Sequence, residues 1–144
     1  MEYVDERRAR RIVILDASIL LDSVEAKIDL VDEIRGALLA PCKVCVLKST
    51  LEELERLERK GPWRRSRAAR LARAMLESRD VEIIDDTSIR CSSVDDRIVQ
   101  VARGLRAVVA TDDGDLRRKL ASEGVPVLFL REGKKLQLTG DVYI

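Results

Sequence analysis

The chain has 144 residues, of which 46% are hydrophobic, 37% charged and 3% aromatic, with a formal net charge of +1. This length predicts one domain with one aliphatic core, and the near-neutral charge excludes a surface that is basic throughout, so any nucleic-acid contact must be local. No apolar run reaches the roughly eighteen residues of a membrane span, and the charged start lacks the form of a signal peptide, which predicts a soluble, cytoplasmic protein without membrane contact.

The hydrophobic pattern predicts strands that alternate with helices. Short apolar runs rich in β-branched residues predict strands at 11–15, 44–47, 81–84, 107–110 and 125–130. Apolar residues at helical spacing predict helices at 29–39, 49–60, 64–79, 92–103 and 112–122. Residues 131–144 are expected to add a turn and one edge strand. We therefore expect a three-layer α/β/α single domain with a mainly parallel central sheet over residues 11–144, after a flexible tail at residues 1–10.

The three cysteines, Cys42, Cys45 and Cys91, do not have the pattern of a metal or redox site. The first two form a CxxC pair, but this pair falls in a predicted strand, where positions three apart face opposite sides. The chain has no second CxxC and no histidine, so a structural zinc site lacks ligands. We expect buried or bystander thiols.

The segment from Ala107 to Leu116 joins a predicted buried strand directly to acidic residues. Its apolar run ends at Ala110 and is followed at once by Thr111 and by carboxylates, and then by a new helical period. In open α/β sheets, ligands bind at the carboxyl edge of the strands. This segment therefore places acidic side chains at the edge where a binding site is expected.

Each acidic residue near a strand end has a structural explanation when taken alone. Asp16 follows the first strand and has the position of a helix cap. Capping-box spacing is found for the pairs Ser49–Glu52, Thr50–Glu53 and Ser92–Asp95. Carboxylates that would complement the helix dipole in the first turn of the 112–122 helix are Asp112, Asp113 and Asp115. Taken singly, a capping role is the simpler interpretation of each.

Taken together, four of these acids indicate a metal site. Asp16, Glu53, Asp95 and Asp113 each lie at or just after the carboxyl end of a different predicted strand, where neighbouring segments of a parallel sheet meet. Four converging carboxylates repel one another unless they retain protons or share a hard divalent cation. Oxygen-only ligands favour Mg²⁺ or Mn²⁺ over zinc. The chemistry that fits this arrangement is attack of water on a phosphodiester.

Other catalytic classes lack essential parts. The chain contains neither a GxxxxGK[ST] loop nor a GxGxxG turn after a strand, so the usual ATP and NAD sites are not predicted. The absence of histidine excludes a Ser-His-Asp triad. A phosphoaspartyl receiver would use an aspartate after a strand, but it would not need Glu53 and Asp95.

Four segments, in order, resemble the acidic motifs of PIN domains. They are Ile14-Leu15-Asp16-Ala17-Ser18-Ile19-Leu20, Glu53-Leu54-Glu55-Arg56-Leu57, Val94-Asp95-Asp96-Arg97-Ile98-Val99-Gln100-Val101-Ala102, and Val109-Ala110-Thr111-Asp112-Asp113-Gly114-Asp115-Leu116. The resemblance spans residues 11–130. It is nearest to the branch that contains archaeal PIN proteins and the eukaryotic small-subunit ribosomal RNA processing nuclease, while VapC-type toxins are more distant.

This resemblance implies a PIN-like fold and a Mg²⁺- or Mn²⁺-dependent endoribonuclease. Carried over by position, the metal-binding and catalytic acids are Asp16, Glu53, Asp95 and Asp113. Ser18 and Thr111 would orient a carboxylate or a water molecule. Asp96 and Asp115 are auxiliary acids, since adjacent carboxylates leave the ligand ambiguous. On a helix, Asp95 and Asp96 point about 100° apart, and Asp95 keeps the family spacing.

A basic segment beginning at Trp63 is the expected place for RNA contacts. Arginine binds phosphate bidentately, and Trp63 could stack on an unpaired base. The residues assigned to RNA are Trp63, Arg64, Arg65 and Arg67, together with Arg97, Arg117 and Arg118 beside the acids. The alternative is a solvated helix face on which Trp63 acts as a hydrophobic staple.

The predicted function is hydrolysis of RNA, either in ribosomal RNA maturation or as a VapC-like toxin. The expected partners are RNA and either a ribosome-assembly partner or an antitoxin, and PIN proteins are often homodimers. The alternative from another class is a catalytically silent PIN-fold scaffold that binds RNA during ribosome assembly. A site that no longer catalyses a reaction has no physical need for four carboxylates that repel one another, and this counts against the scaffold alternative.

Overall fold

The computed structural model describes residues 11–39 and 41–140, in which six strands and six helices follow one another. The strands are β1 (Arg11–Leu15), β2 (Cys42–Leu47), β3 (Glu82–Ile84), β4 (Val108–Ala110), β5 (Val127–Arg131) and β6 (Lys135–Thr139). The helices are α1 (Ala17–Glu25), α2 (Leu30–Leu38), α3 (Lys48–Lys60), α4 (Trp63–Ser78), α5 (Val94–Leu105) and α6 (Gly114–Ser122). The tail predicted at residues 1–10 lies outside the described ranges, as do residue 40 and residues 141–144.

The six strands form one sheet in the order β3-β2-β1-β4-β5-β6. Every neighbouring pair is parallel except β5 and β6, which are antiparallel and form a hairpin. The turn of this hairpin places Glu132 at φ 54° and Gly133 at φ 68°, and glycine adopts that left-handed conformation at low cost. The mainly parallel sheet and the edge strand at the end of the domain are confirmed.

Helices cover both faces of the sheet and create two hydrophobic cores. On one face, Val13 and Leu15 of β1 pack with α1 to α4. On the other face, Ile14 packs with α5 and α6. Strands β1, β2, β4 and β5 are mostly buried and nearly continuously apolar, as parallel strands usually are, whereas β3 and β6 at the two sides of the sheet are more exposed. The predicted three-layer arrangement is confirmed.

Helix α1 was not predicted. Its nine residues include the buried Ala17, Ile19, Leu20, Leu21 and Ser23. Its polar residues outside the core, Ser18, Asp22 and Glu25, form only a narrow face, and a helix of nine residues is too short to show a clear amphipathic period. Burial between the sheet and α4 explains this composition.

The apolar spacing predicts Leu71 on the inward face of the 64–79 helix and Val94 on that of the 92–103 helix, and the structure contradicts both positions. In α4, Leu71 is 44% exposed, whereas the smaller Ala69 is fully buried. In α5, Val94 is 53% exposed because the helix begins there rather than at residue 92. Small residues on α4 let this helix pack closely, which its leucine spacing did not indicate.

The predicted capping boxes are also wrong. Helix α3 begins at Lys48, so Ser49 and Thr50 lie inside the helix and cap nothing. Helix α5 is capped by Ser93, whose hydroxyl accepts from the Asp96 N–H at 3.1 Å. Each error is a displacement of one or two residues, the usual uncertainty of a helix boundary.

The cysteines are free thiols. Cys45 is buried, and Cys42 and Cys91 are half-buried. Burial raises the pKa of the Cys45 thiol to about 11, so this group is a poor nucleophile near neutral pH. Within the described ranges, no helix is both long enough and apolar enough to cross a membrane.

Candidate active site

The carboxyl ends of the central strands lie level with one another. Leu15 at the end of β1 pairs with Val46 of β2 and with Ala110 at the end of β4. The chain therefore leaves the sheet at Asp16 and at Thr111 side by side, next to the start of α3. This register brings residues distant in sequence to one edge.

A cavity of about 580 Å³ opens at this edge and forms a cleft. Five acids from four segments line the cleft, namely Asp16, Glu52, Glu53, Asp95 and Asp113. Its basic residues are Arg56, Arg65 and Arg97. The structure thus brings together the four acids that were assigned to metal binding, and it adds Arg56, which sequence reasoning did not single out for RNA contact.

Asp16 is held by two hydroxyl groups. Its Oδ2 accepts hydrogen bonds from Ser18 Oγ at 2.9 Å and from Thr111 Oγ1 at 2.8 Å. Although Asp16 occupies the cap position of α1, its side chain accepts no backbone N–H there, so the capping interpretation of Asp16 is wrong. Two hydroxyls instead fix the orientation of the carboxylate. Ser18 and Thr111 therefore stand where the resemblance placed orienting groups.

Thr111 also connects Asp16 to Asp113. The Asp113 N–H donates to Thr111 Oγ1 at 3.1 Å. Asp113 Oδ1 accepts from the N–H groups of Asp115, at 2.9 Å, and of Leu116, at 3.2 Å, and so caps α6. Asp113 is therefore both a helix cap and a residue of the cleft. Sequence reasoning treated these roles as alternatives, but its two carboxylate oxygens allow both.

Glu53 is a half-buried acid on the second turn of α3. Burial raises its pKa, the negative charges of Asp16 and Asp95 raise it further, and Arg56 partly opposes the shift. A carboxyl with a raised pKa is one whose ionised form is unfavourable in its surroundings. The electrostatic effect of two other segments on Glu53 shows that the acids share one field.

Asp95 and Asp96 point in different directions from the first turn of α5. Burial and then Asp113 raise the pKa of Asp95, with Lys119 opposing and with Asp16 adding to the shift. Asp96 instead accepts from Ser92 Oγ at 2.6 Å and lies 3.5 Å from Lys119 Nζ. Asp95 lines the cleft and Asp96 does not.

Three other residues assigned to the site are turned toward different partners. Asp115, the second auxiliary acid, pairs with Arg118 on the exposed surface of α6. Arg117 lies over the ring of Phe129, 3.7 Å from its centroid. None of these residues lines the cleft.

Asp86 is a fully buried acid that sequence reasoning missed. Its Oδ1 accepts from the Ser49 N–H at 3.0 Å, and its Oδ2 accepts from Ser49 Oγ at 2.5 Å. Arg97 Nη1 lies 3.7 Å from the same carboxylate. Asp86 therefore joins the helix that carries Glu53 to the helix that carries Asp95. Its position in a loop after β3 gives no periodic signal.

Asp112 faces away from the cleft, toward β5. Its Oδ1 accepts from the Leu130 N–H at 2.8 Å, while its own N–H donates to Ser18 Oγ at 3.0 Å. Burial and a hydrogen bond with the Asp22 carboxyl raise the pKa of Asp112 to about 6. Two carboxyl groups in contact share a proton more readily than they ionise together. Asp112 thus supports the loop that carries Thr111.

The residues of the basic segment at the start of α4 do not all face the cleft. Arg65 lines the cleft, where it lies 3.9 Å from Glu25. Trp63 is 77% exposed, so the interpretation of this residue as a hydrophobic staple is wrong. Arg64 and Arg67 are exposed as well.

The donor chemistry of the cleft fits a hard divalent cation. Its acids supply oxygen only, and burial, together with the negative charges of neighbouring acids, raises the pKa of both Glu53 and Asp95. In the described part of the chain, no three acidic or cysteine side chains stand close enough to hold one ion jointly. The cleft therefore has oxygen donors but no preformed cage, and its side chains would have to move closer together to hold an ion.

Comparison with known proteins identifies the family. A family model described as a PIN like domain matches residues 13–133. Ribonuclease VapC4 of Methanocaldococcus jannaschii is 26% identical over 131 residues, 90% of this chain and 98% of that protein. Ribonuclease VapC9 of Archaeoglobus fulgidus is 27% identical, over 88% of this chain and 87% of that protein.

The chain is also similar to an rRNA-processing protein and to a solved PIN domain endonuclease. The human rRNA-processing protein FCF1 homolog is 28% identical over 82% of this chain, which spans 56% of that protein. The solved PIN domain endonuclease Utp24 superposes with a TM-score of 0.73 at 25% identity, over 92% of this chain and 96% of that chain. Because the family match extends over most of the chain and the fold agrees with it, this protein belongs to the PIN-like domain family.

Proposed function

We propose that this protein is a metal-dependent endoribonuclease that hydrolyses RNA phosphodiester bonds with Mg²⁺ or Mn²⁺. The observation that carries the proposal is the convergence of Asp16, Glu53, Asp95 and Asp113 from four segments on one cleft. Structural caps alone would not require these acids to converge where burial and neighbouring carboxylates raise the pKa of Glu53 and Asp95.

The relatives support a nuclease that acts on RNA. VapC4 and VapC9 are named ribonucleases, and the Utp24 domain is named an endonuclease. The VapC proteins align with this chain over most of their own length. The same reaction class is the simplest proposal for an acidic cleft in the same fold, although fold alone does not decide function.

The residues of the cleft have distinct roles in this proposal. Asp16, Glu53, Asp95 and Asp113 would hold the cation. The hydroxyls of Ser18 and Thr111 keep the Asp16 carboxylate in one orientation before the ion arrives, which lowers the entropy cost of closing the site. Because Asp113 is fixed at its cap and Asp16 by the hydroxyls, Glu53 and Asp95 are the acids with more freedom to move.

The cation and the arginines would act on different parts of the substrate. When bound, Mg²⁺ or Mn²⁺ supplies Lewis-acid stabilisation of charge on the phosphate and lowers the pKa of water. Arg56 and Arg65 can bind the RNA backbone on either side of the scissile phosphate, since guanidinium groups bind phosphate bidentately. Arg97 is committed to Asp86, so its assigned RNA contact stays a prediction.

The test is cleavage of a mixed structured and unstructured RNA by purified protein with Mn²⁺, with Mg²⁺ and with chelator. Asp16→Asn and Asp113→Asn should each lower the rate at least about 100-fold, as removal of a group that stabilises the transition state does. Asp115→Asn is the matched control, because this neighbouring acid is exposed and paired with Arg118. It should cleave nearly as fast as the unchanged protein.

The controls separate three outcomes. Metal-dependent cleavage that is lost in both cleft variants and kept in Asp115→Asn supports the proposal. Equal cleavage by all four proteins indicates a contaminating ribonuclease. No cleavage by any of them, on RNA that the protein binds, contradicts the proposal and favours the catalytically silent scaffold.

Two cellular roles follow from the two kinds of relative. The VapC similarity suggests a toxin with an antitoxin partner, and the FCF1 similarity suggests a role in ribosomal RNA processing with a ribosome-assembly partner. Overproduction separates them. Growth arrest that Asp16→Asn abolishes would support the toxin, whereas unaffected growth would contradict it.

A further inference from the structure

The outward face of α4 carries an aromatic residue among arginines, separate from the cleft. Trp63, Arg67 and Arg70 are all exposed. At 100° per residue they lie within an arc of about 60° on the helix. The opposite side of α4 is buried through Ala68, Ala69, Ala72 and Leu76. Trp63 therefore points away from the core, and the residues that the structure describes leave most of its side chain uncovered.

The charge of this face is not neutralised by neighbours. Neither Arg67 nor Arg70 forms an ion pair with another described residue. Arg73, by contrast, pairs with Glu55 and Glu58 of α3, and Arg64 lies 3.7 Å from Glu25. Arg59 and Lys60, in the last turn of α3, are two more exposed cations and precede Trp63 closely in the chain. We call the set Arg59, Lys60, Trp63, Arg67 and Arg70 the outer face.

The support beneath the outer face is held firmly. Ser66 Oγ donates to the Glu58 carbonyl oxygen at 2.6 Å, which ties the first turn of α4 to α3. The turn between these helices needs Gly61, because a Cβ there would lie 2.6 Å from the Leu57 carbonyl oxygen. Trp63 thus stands on a fixed backbone position, and the ordering cost of a contact with it is low.

We propose that the outer face binds unpaired RNA that extends beyond the cleft, with a base stacked on Trp63 and phosphates on Arg67 and Arg70. This inference rests on the proposed function, which supplies RNA as the substrate. An exposed indole among unpaired arginines matches the combination of stacking and backbone contacts found in single-strand binding proteins. A paired base in a duplex offers no free face for such stacking.

The outer face and the cleft meet at the first turn of α4. Arg65 lines the cleft, and Trp63, two residues earlier, lies about 200° away around the helix axis. A strand that leaves the cleft past Arg65 therefore reaches Trp63 by passing over the end of the helix. The outer face should consequently change the affinity for RNA and leave the chemical step unaltered.

The experiment uses the fact that Trp63 is the only tryptophan of the chain, so its fluorescence reports on this position alone. Unchanged protein in chelator is titrated with a single-stranded RNA of about 12 nucleotides, within the usual footprint of such sites. The same sequence in duplex form is the comparison. We expect the single strand to quench the fluorescence and the duplex to leave it nearly unchanged.

Variants then assign the contacts. Trp63→Ala should weaken binding of labelled RNA about tenfold, and with metal present it should raise KM without changing kcat. Arg67→Gln with Arg70→Gln should reduce the slope of log affinity against log salt by about 1.4, the value for two single-strand phosphates. Arg35→Gln with Arg106→Gln removes two exposed arginines elsewhere and should leave the slope unchanged.

Several results would overturn the inference. These are equal quenching by duplex RNA, binding of RNA without quenching, and quenching by an acidic peptide or an anionic vesicle but not by RNA. Failure of the proposed function has a different signature, since it would show as quenching by single-stranded RNA with no cleavage when metal is added.

Discussion

Charged side chains are paired differently at the two ends of the strands, which we call the amino edge and the carboxyl edge of the sheet. At the amino edge, charged side chains are paired: Arg103 lies 3.0 Å from Glu123, and Lys43 lies 2.9 Å from Glu82. At the carboxyl edge, neither Glu53 nor Asp95 has an ion-pair partner among the described residues, and burial together with the surrounding acids raises the pKa of both. The paired charges named at the amino edge thus contrast with two unpaired acids in the cleft.

The paired surface charges have a structural role, whereas the unpaired acids of the cleft are better explained by a role in binding. Paired charges on a surface contribute little free energy, but they cost little as well. Converging carboxylates reduce the stability of the metal-free protein, and a cation that binds only the folded state would recover that stability. An uncompensated cluster at a strand edge is therefore a stronger indication of function than any single acid in it.

The largest expected effect is on RNA cleavage, and it shows whether the position of an acid at the carboxyl edge matters or only its charge. Asp95→Asn should lower metal-dependent cleavage at least about 100-fold, whereas Asp96→Asn should leave it within about a factor of three, because Asp96 faces Ser92 and Lys119. Both residues lie in the first turn of α5, so the helix dipole acts on each. Equal losses in the two variants would show that the cleft responds to total charge rather than to these side-chain directions.

The next effect concerns the buried acid that joins two helices of the carboxyl edge. Asp86→Ala leaves the Ser49 N–H and the partly buried Arg97 without their partner, so we expect the free energy of unfolding to fall by about 3 kcal/mol. Ser49→Ala removes one hydrogen bond and should cost only about 1 kcal/mol. Urea unfolding of both variants measures this. If the two losses were alike, Asp86 would be only a cap of α3.

A smaller effect compares the two edges directly through the melting temperature of the metal-free protein. Glu53→Gln removes a repelled charge and should raise the melting temperature in chelator by roughly 2 °C. Glu123→Gln makes the same chemical change at the amino edge, breaks the pair with Arg103, and should leave the value unchanged or slightly lower. A lower value for Glu53→Gln would contradict a strained acidic cluster.

The last effect is a pH dependence outside the cleft. Asp112 has its pKa raised to about 6 in the folded protein from an ordinary value of 3.8. The folded state therefore binds more protons than the unfolded state between those values, so stability should fall as pH rises through about 4 to 6. Asp22→Asn removes the neighbouring charge and should flatten this fall. Melting curves over the pH range, with and without Mn²⁺, measure it, and a fall unaffected by Asp22→Asn would contradict the assignment.

The sequence by itself determined the sheet and the membership of the acidic set. Continuous β-branched runs identify buried parallel strands, and residues that follow such strands share an edge whatever the details of the helices. For this reason the cleft contains the predicted Asp16, Glu53, Asp95 and Asp113. Helix α1 was not predicted because it has only nine residues and a narrow polar face, which together give a weak helical period.

The tertiary structure alone decided which way each polar side chain points and what it contacts. Adjacent acids such as Asp95 and Asp96, or Asp112 and Asp113, have the same chemistry in sequence but different neighbours in space. Asp86 is hydrogen-bonded to Ser49, which lies 37 positions away in the chain, and Thr111 is hydrogen-bonded to Asp16, which lies 95 positions away. Local patterns record periodicity over a few residues, whereas these contacts depend on the register of distant strands, which is set by packing of the whole core.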